Sequence, residues 1–150
     1  MSTALLDSNV LIAVVAEVHE HHGASLEILL WERRRNFAVA AHSYSEAFAA
    51  LTRRGEHAPF RFPPNEAWAA LESVRSVTDL VGLTPAQVFE ATRSYANSGG
   101  LGARLCDKLI GEAAVVHGIP IVVTWNVSHM RGLFPNLTVT TPKEFLKSRA

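Results

Sequence analysis

The chain alternates between short apolar runs and longer stretches in which apolar residues recur with helical spacing. The short runs predict strands over residues 4–6, 37–40, 80–83, 119–124 and 137–140. The longer stretches predict helices over 10–18, 24–35, 42–54, 65–77, 85–97 and 103–117, with a last helix beginning after Thr141-Pro142. Strands that alternate with helices pair in parallel through right-handed crossovers. We therefore predict an α/β fold, a three-layer α/β/α sandwich around a central parallel sheet, formed by a single domain over residues 1–150.

One acidic residue interrupts the first apolar run. Asp7 follows the first predicted strand, and apolar residues resume at Val10. Few solvated positions are open to a carboxylate between two apolar segments, and an unpaired buried charge is costly. Asp7 is therefore expected to act at the end of a core strand, either as the N-cap of the next helix or as a ligand.

Three further polar residues follow predicted strands or open predicted helices. Glu46 lies in the first turn after the second strand, Asp107 lies early in the helix after a Gly-rich break, and Asn126 follows the fourth strand. Ligands of open parallel sheets bind beyond the carboxyl ends of the strands, so the fold would gather these residues with Asp7. Each also has a structural interpretation: Ser43 and Glu46 match a capping box, Asp107 favours a helix dipole, and Asn126 would cap a turn.

Convergence of the three carboxylates would raise their pKa values unless a cation neutralised them. All the candidate ligands are oxygen donors, which suits Mg²⁺, or Mn²⁺, rather than a soft zinc site. Ions of this kind bind substrate phosphates and promote hydrolysis of phosphoryl groups. The pattern therefore favours phosphoryl chemistry.

The composition narrows the classes of partner. The 14 Lys and Arg residues balance the 14 Asp and Glu residues, so the overall charge does not indicate a nucleic-acid-binding protein. A polyanion would need a metal or a local patch such as Arg33-Arg34-Arg35, a run that equally fits a solvated helix end. Cys106 is the only cysteine, which excludes an internal disulfide and a cysteine-based zinc site. No apolar run is long enough to cross a membrane, and we expect a cytoplasmic protein.

These segments resemble the motifs of the PIN-domain ribonucleases, and among them the VapC toxins of bacterial toxin–antitoxin pairs. LLDSNVLI is similar to the opening strand and metal-binding aspartate of the family, and SYSEAFAAL is similar to its second acidic segment. GLGARLCDKLIGEAAVVHGIPIVVTWNVSHM resembles the third and fourth segments in order and spacing, and TVTTPKEFL resembles the closing segment. The resemblance covers essentially the whole chain, and the long third block is its specific part.

The resemblance implies a Mg²⁺-dependent endoribonuclease that cleaves tRNA or rRNA and leaves a 5′-phosphate and a 3′-hydroxyl. It also implies a homodimer and a cognate VapB-type antitoxin, which blocks the site by inserting a basic side chain among the acids. The implied catalytic residues are Asp7, Glu46, Asp107 and Asn126, with Asp7 and Asp107 as metal ligands and Glu46 as a further one. Supporting residues would be Ser8, Asn9 and Thr124, and RNA contacts would come from Arg104, Trp125, Arg33, Arg34 and Arg35.

Two departures from the family pattern keep alternatives open. Asn126 stands where many relatives carry an aspartate, and His129-Met130 replaces a more usual acid or His followed by Phe. Three formal charges instead of four would give a weaker, single-metal site in the absence of RNA. The alternatives are a catalytically silent PIN-like binding module and a haloacid-dehalogenase-like phosphatase with Asp7 as nucleophile, although no paired acids follow late in the chain. Two further hypotheses are a transition-metal site at His19, His21 and His22, and Cys106 as a small buried residue.

Overall fold

The structure is a computed structural model that describes residues 2–30 and 37–149. Its strands are β1 (Ala4–Leu6), β2 (Phe37–Ala40), β3 (Asp79–Val81), β4 (Ile121–Val123) and β5 (Thr138–Thr140). Its helices are α1 (Ser8–Val15), α2 (His22–Leu30), α3 (Ala41–Thr52), α4 (Pro64–Arg75), α5 (Pro85–Asn97), α6 (Leu105–Val116), α7 (Val127–Leu133) and α8 (Pro142–Arg149). A short 3₁₀ turn, Gly102–Arg104, precedes α6.

The five strands form one parallel sheet in the order β3-β2-β1-β4-β5. The central strand β1 is hydrogen-bonded on both sides, and its Leu6 lies opposite Val39 and Val123. The backbone N–H of Asp7 continues the ladder by donating to the carbonyl of Val123 at 2.9 Å. The first residue after β1 therefore lies at the carboxyl edge of the sheet, between the ends of two neighbouring strands.

Helices cover both faces of the sheet, because alternate strand residues point to opposite sides. Leu6 and Val39 pack in one buried cluster with residues from α1, α2, α3, α4 and α8. Leu5 and Val122 pack in a second cluster with residues from α6 and α7. The predicted α/β/α sandwich with a central parallel sheet is confirmed.

Several predicted boundaries differ from the structure. The helix predicted over 10–18 ends at Val15, because Ala16 leaves the helical region with ψ 100°. The strand predicted over 119–124 is shortened to three residues. Helix α7 was not predicted, since seven residues make too short a periodic pattern to stand out. The end of the helix predicted over 24–35 lies outside the described residues.

The capping-box interpretation of Ser43 and Glu46 is wrong. Helix α3 begins directly after β2, with Ala40 at the N-cap and no capping side chain. Both Ser43 and Glu46 therefore lie within the helix, where the Ser43 hydroxyl is buried and has no hydrogen-bond partner among the described residues. The Glu46 side chain therefore does not cap α3.

Among the described helices, not one combines the length and apolar character that crossing a bilayer would require.

Candidate functional site

Asp7 lies at the centre of a buried hydrogen-bond network at the carboxyl edge of the sheet. Its side chain is 3% exposed. The backbone N–H of Ser8 donates to Oδ1 at 2.6 Å, which also makes Asp7 the N-cap of α1. The Thr124 hydroxyl donates to Oδ2 at 2.8 Å. The structural and functional interpretations of Asp7 are therefore compatible, since one oxygen caps the helix while the carboxyl group faces the site.

Thr124 and Asn9 hold this carboxyl group from the neighbouring strand end and the first helical turn. Asn9 Nδ2 donates to Thr124 Oγ1 at 2.9 Å, and Asn9 Oδ1 accepts from the backbone N–H of Trp125 at 3.1 Å. Ser8 adds a longer contact from its hydroxyl to Asp7 Oδ1 at 3.3 Å. The three residues expected to support the site therefore surround Asp7.

The environment of Asp7 disfavours its charged form. The pKa of this carboxyl group is raised from 3.8 to about 6, chiefly by burial, and the charges of Asp107 and Glu46 contribute to the increase. The hydrogen bonds from Thr124 and Ser8 act in the opposite direction and lower the pKa. The charges of Asp107 and Glu46 thus act on Asp7.

Asp107 has a partner that the sequence analysis did not assign. It lies in the first turn of α6, and its Oδ2 is 2.5 Å from Nδ1 of His129 on α7. Both side chains are 17% exposed. In the sequence, His129 stands out only as a departure from the family pattern, and 22 residues separate it from Asp107. Because the pairing depends on how α7 folds back onto α6, no local spacing could have indicated it.

Glu46 lies one helical turn from His42 on α3. Its Oε1 atom is 3.2 Å from His42 Nε2. This oxygen is buried and has no hydrogen-bond partner of ordinary geometry among the described residues. A carboxylate with an unsatisfied buried oxygen is costly unless a cation or donor reaches it.

Cys106 precedes Asp107 and faces the same group of acids. The pKa of its thiol is raised to about 11, chiefly by burial, then by a hydrogen bond with the Glu46 carboxylate and by the charges of Glu46, Asp107 and Asp7. A raised pKa makes this thiol a poor nucleophile. Cys106 is only partly buried, so the expectation of a small buried residue holds in part.

Asn126 joins the network through its backbone. Its N–H donates to Thr124 Oγ1 at 3.1 Å, and it occupies the N-cap position of α7 without a capping side-chain bond. The residue is exposed, and within the described part of the chain its side-chain amide makes no hydrogen bond. A role for this amide as a ligand therefore stays a prediction.

The residues expected to contact RNA differ in how far they are packed against the rest of the structure. Trp125 stacks on the His21 ring with centroids 3.8 Å apart, and its Nε1 donates to Ser25 at 2.8 Å. Arg104 is exposed and forms no salt bridge with any described residue. Residues 33–35, the arginine run, lie outside the described residues. Trp125 is thus held against the body of the fold, whereas Arg104 is available to a ligand.

The histidines at 19, 21 and 22 do not form a metal site with other described residues. His19 stacks on Phe60, and His22 Nδ1 lies 2.8 Å from the carbonyl of Ala13. Burial is the largest cause that lowers the pKa of His19, followed by the neighbouring His21. These rings instead help to pack the connection between α1 and α2.

The donor set fits a hard divalent cation. Asp7, Glu46 and Asp107 supply carboxylate oxygens, the ligands that Mg²⁺ and Mn²⁺ prefer. A cation beside Asp7 would also offset the burial and the repulsion that raise its pKa. The chemistry of these donors therefore suits such an ion, although the oxygens of the three carboxylates do not all lie within 4.8 Å of one another in this structure.

Comparison with known families and structures gives a consistent result. The family model of the PIN domain matches residues 4–127. No curated protein matches the chain.

Three solved structures of similar fold illustrate the structural likeness. The chain is similar to VapC20 of Mycobacterium tuberculosis, described as a sarcin-ricin loop cleaving toxin, with 15% identity, a TM-score of 0.67 and coverage of 86% of this chain and 94% of that chain. It is similar to DNA-bound VapBC from Salmonella typhimurium, with 18% identity, a TM-score of 0.65 and coverage of 95% and 99%. It is also similar to a toxin–antitoxin complex from Klebsiella pneumoniae, with 18% identity, a TM-score of 0.60 and coverage of 93% and 97%. At these identities the likeness shows the fold.

Proposed function

The chain belongs to the PIN domain family, and we propose that it is a metal-dependent endoribonuclease of the VapC toxin type, neutralised by a cognate antitoxin. The observation that carries the proposal is the buried Asp7 at the carboxyl edge of the sheet, where the charges of Asp107 and Glu46 help to raise its pKa. A PIN fold with this acidic site favours hydrolysis of a phosphodiester over the phosphatase alternative. RNA is the proposed substrate, in line with the resemblance to the PIN-domain ribonucleases; the solved structure of similar fold from M. tuberculosis is described as a sarcin-ricin loop cleaving toxin.

In this proposal Asp7 and Asp107 hold Mg²⁺, or Mn²⁺, and Glu46 lies beside them. When bound, the cation stabilises the negative charge that develops on the phosphoryl group. Water adds to phosphorus, the bond from phosphorus to O3′ breaks, and a proton passes to the leaving oxygen. The products are a 5′-phosphate and a 3′-hydroxyl.

The chain's own residues hold the two aspartates in place. Thr124 and Ser8 donate to separate oxygens of Asp7, which restricts rotation of its carboxyl group. His129 holds Asp107 through Oδ2 and acts as a positioning residue. Partners of this kind orient metal ligands, and their loss typically weakens metal binding about 10–100-fold.

A protein partner is proposed on separate grounds. Two of the solved relatives of similar fold are toxin–antitoxin complexes. The carboxylate pocket attracts cations, so a basic side chain of an antitoxin would be held there when metal is absent.

An apolar groove between α3 and α4 leaves Trp68 47% and Leu80 48% exposed, which suits a homodimer contact. Light scattering of the purified protein, with Trp68→Glu as the variant, tests the homodimer.

The decisive experiment compares two chemically matched variants. Purified protein is incubated with total bacterial RNA in Mg²⁺ or in EDTA, and new 5′ ends are mapped. Asp7→Asn is expected to slow cleavage more than about 100-fold, since a charged ligand of the metal is lost. Asp79→Asn is the control, because Asp79 lies on the edge strand β3, where it accepts from Ser2 at 2.6 Å.

Discrete ends that require Mg²⁺ and Asp7 but not Asp79 would support the ribonuclease. RNA that stays uncleaved yet is retained by folded, antitoxin-free protein would instead support the silent binding module. Cleavage of equal rate in the Asp7→Asn variant and the unmodified protein would overturn the metal assignment.

A further inference from the structure

Three side chains of different chemistry converge beside the proposed carboxylate site. His42 and Glu46 lie one turn apart on α3, and Cys106 lies in the first turn of α6. One donor atom from each residue lies within 4.8 Å of the other two. Two separate helices therefore present nitrogen, oxygen and sulfur donors to one point.

We propose that His42, Glu46 and Cys106 form a binding site for a divalent cation of the zinc class. This revises the expectation that a single cysteine excludes a zinc site, since one thiolate is joined here by an imidazole and a carboxylate. Zinc takes imidazole nitrogen, carboxylate oxygen and thiolate sulfur with bond lengths of about 2.0–2.3 Å. Tetrahedral bonds of this length place ligand atoms about 3.3–3.8 Å apart. The separation of 3.2 Å between His42 Nε2 and Glu46 Oε1 is already close to this range. Small side-chain rotations would bring in the Cys106 sulfur, whose thiol proton is released to solvent as the ion binds, and would leave a fourth position open.

The unsatisfied oxygen of Glu46 is an independent reason to expect a ligand. Oε1 is buried, and the described residues provide it with no hydrogen bond. A cation between His42 and Cys106 would satisfy this oxygen. Access is open on the His42 side, because that side chain is 44% exposed.

The surrounding charge favours a cation over a neutral ligand. Asp7 and Asp107 both act electrostatically on Cys106, so their carboxylates lie close to the proposed ion. Neither His42 nor Cys106 belongs to the acidic set that would hold Mg²⁺. The imidazole nitrogen of His42 and the thiolate sulfur of Cys106 favour zinc over Mg²⁺ at this point, whereas the carboxylate oxygens beside them suit Mg²⁺.

A consequence for activity follows, and it rests on the proposed ribonuclease function. Glu46 belongs to both donor sets, so a zinc-class ion bound to His42 and Cys106 would draw this carboxylate away from the catalytic acids. Zinc at micromolar concentration is therefore expected to inhibit cleavage that Mg²⁺ at millimolar concentration supports. Bound zinc would act as an inhibitor that is removed by chelation.

The first test measures binding without any RNA. Co²⁺ is added to the reduced, full-length protein, and absorption is recorded in the near-ultraviolet, where thiolate-to-cobalt charge transfer appears, and in the visible range for tetrahedral Co²⁺. We expect both signals, and we expect Zn²⁺ to abolish them by displacement. Cys106→Ser should remove the charge-transfer band, and His42→Gln should weaken Co²⁺ affinity about 100-fold or more, since even residues behind a ligand contribute 10–100-fold.

His57→Gln is the matched control, because His57 is exposed in the connection between α3 and α4. Its spectrum should equal that of the unmodified protein. Absence of the charge-transfer band in the unmodified protein, or its persistence in Cys106→Ser, would overturn the proposal. His42→Gln alters an exposed side chain, so it remains a valid test if the serine variant fails to fold.

The second test measures inhibition of cleavage by Zn²⁺ at constant Mg²⁺. His42→Gln and Cys106→Ser should cleave RNA with Mg²⁺ and require at least about 100-fold more Zn²⁺ for half inhibition. Equal inhibition of all variants would refute the regulatory consequence. A cobalt signal that depends on Cys106, in a protein that cleaves no RNA, would leave the metal site standing and reject the ribonuclease.

Discussion

Asp7 is expected to destabilise the metal-free protein at neutral pH. Its pKa is raised from 3.8 to about 6 in the folded state, chiefly by burial. The folded protein therefore binds this proton more tightly than the unfolded chain does. By linkage, Asp7 makes no unfavourable contribution below pH 3.8, and stability falls as the pH rises from 3.8 towards 6. Replacement by asparagine keeps the shape and removes the ionisation.

The magnitude follows from the two pKa values. At about 1.36 kcal/mol for each tenfold change in the ionisation constant, the difference between 3.8 and about 6 corresponds to about 3 kcal/mol. Asp7→Asn should therefore raise the free energy of unfolding by about 1–3 kcal/mol at pH 7.5 in EDTA. The gain should fall to roughly half at pH 5 and to below about 0.6 kcal/mol at pH 4.

Urea unfolding in EDTA at these three pH values measures the effect. Added Mg²⁺ should stabilise the unmodified protein and leave the variant unchanged, because only the former has a charged ligand at this position. Asp79→Asn controls for the chemistry of the substitution and should show no comparable gain. A variant that is less stable than the unmodified protein, by an amount independent of pH, would show that the ionised carboxylate serves chiefly as a helix cap.

Three further substitutions address the network and the packing around the site. Thr124→Val should raise the pKa of the carboxyl group to which the hydroxyl donates and move the acidic limb of the cleavage pH profile to higher pH, whereas Thr124→Ser should restore it. Asn126→Asp should tighten Mg²⁺ binding in calorimetry, because a fourth charge is added; unchanged affinity would mean that residue 126 does not face the ion. Gly111→Ala should lower the free energy of unfolding by about 1–3 kcal/mol, because the added methyl group would overlap the buried Phe134 ring. Gly132→Ala, with open space around its position, is the control and should have a neutral or stabilising effect in the same urea assay.

The fold could be predicted from the sequence because its elements have local signals. Apolar runs and helical periodicity indicate which residues are buried, and the alternation of strands and helices selects a parallel sheet. Capping-box patterns in the sequence were a less reliable guide to where the helices begin. Thr84 and Gln87 do form a capping box at α5, whereas Ser43 and Glu46 have the same pattern but lie inside α3. Because β2 leads directly into α3, the helix begins at Ala41, upstream of the apparent capping signal at Ser43.

The positions of Asp7, Glu46 and Asp107 could be predicted from the sequence because they follow from the topology of the parallel sheet. Asp7 comes directly after a buried strand, and the ends of parallel strands share one edge. The sequence by itself therefore determined the residue types and placed Asp7 at the carboxyl edge of the sheet, and the class of metal that suits oxygen donors is a prediction from it.

Only the tertiary structure decided which side chains support these acids. The hydroxyl of Thr124 reaches Asp7 across 117 positions of sequence, and His129 reaches Asp107 across 22. The approach of Cys106 to Glu46 likewise depends on how α6 packs beside α3. Periodicity records which face of an element is buried, but contacts within a few ångströms depend on crossovers and helix packing. Those are set by the whole core, so no local pattern contains them.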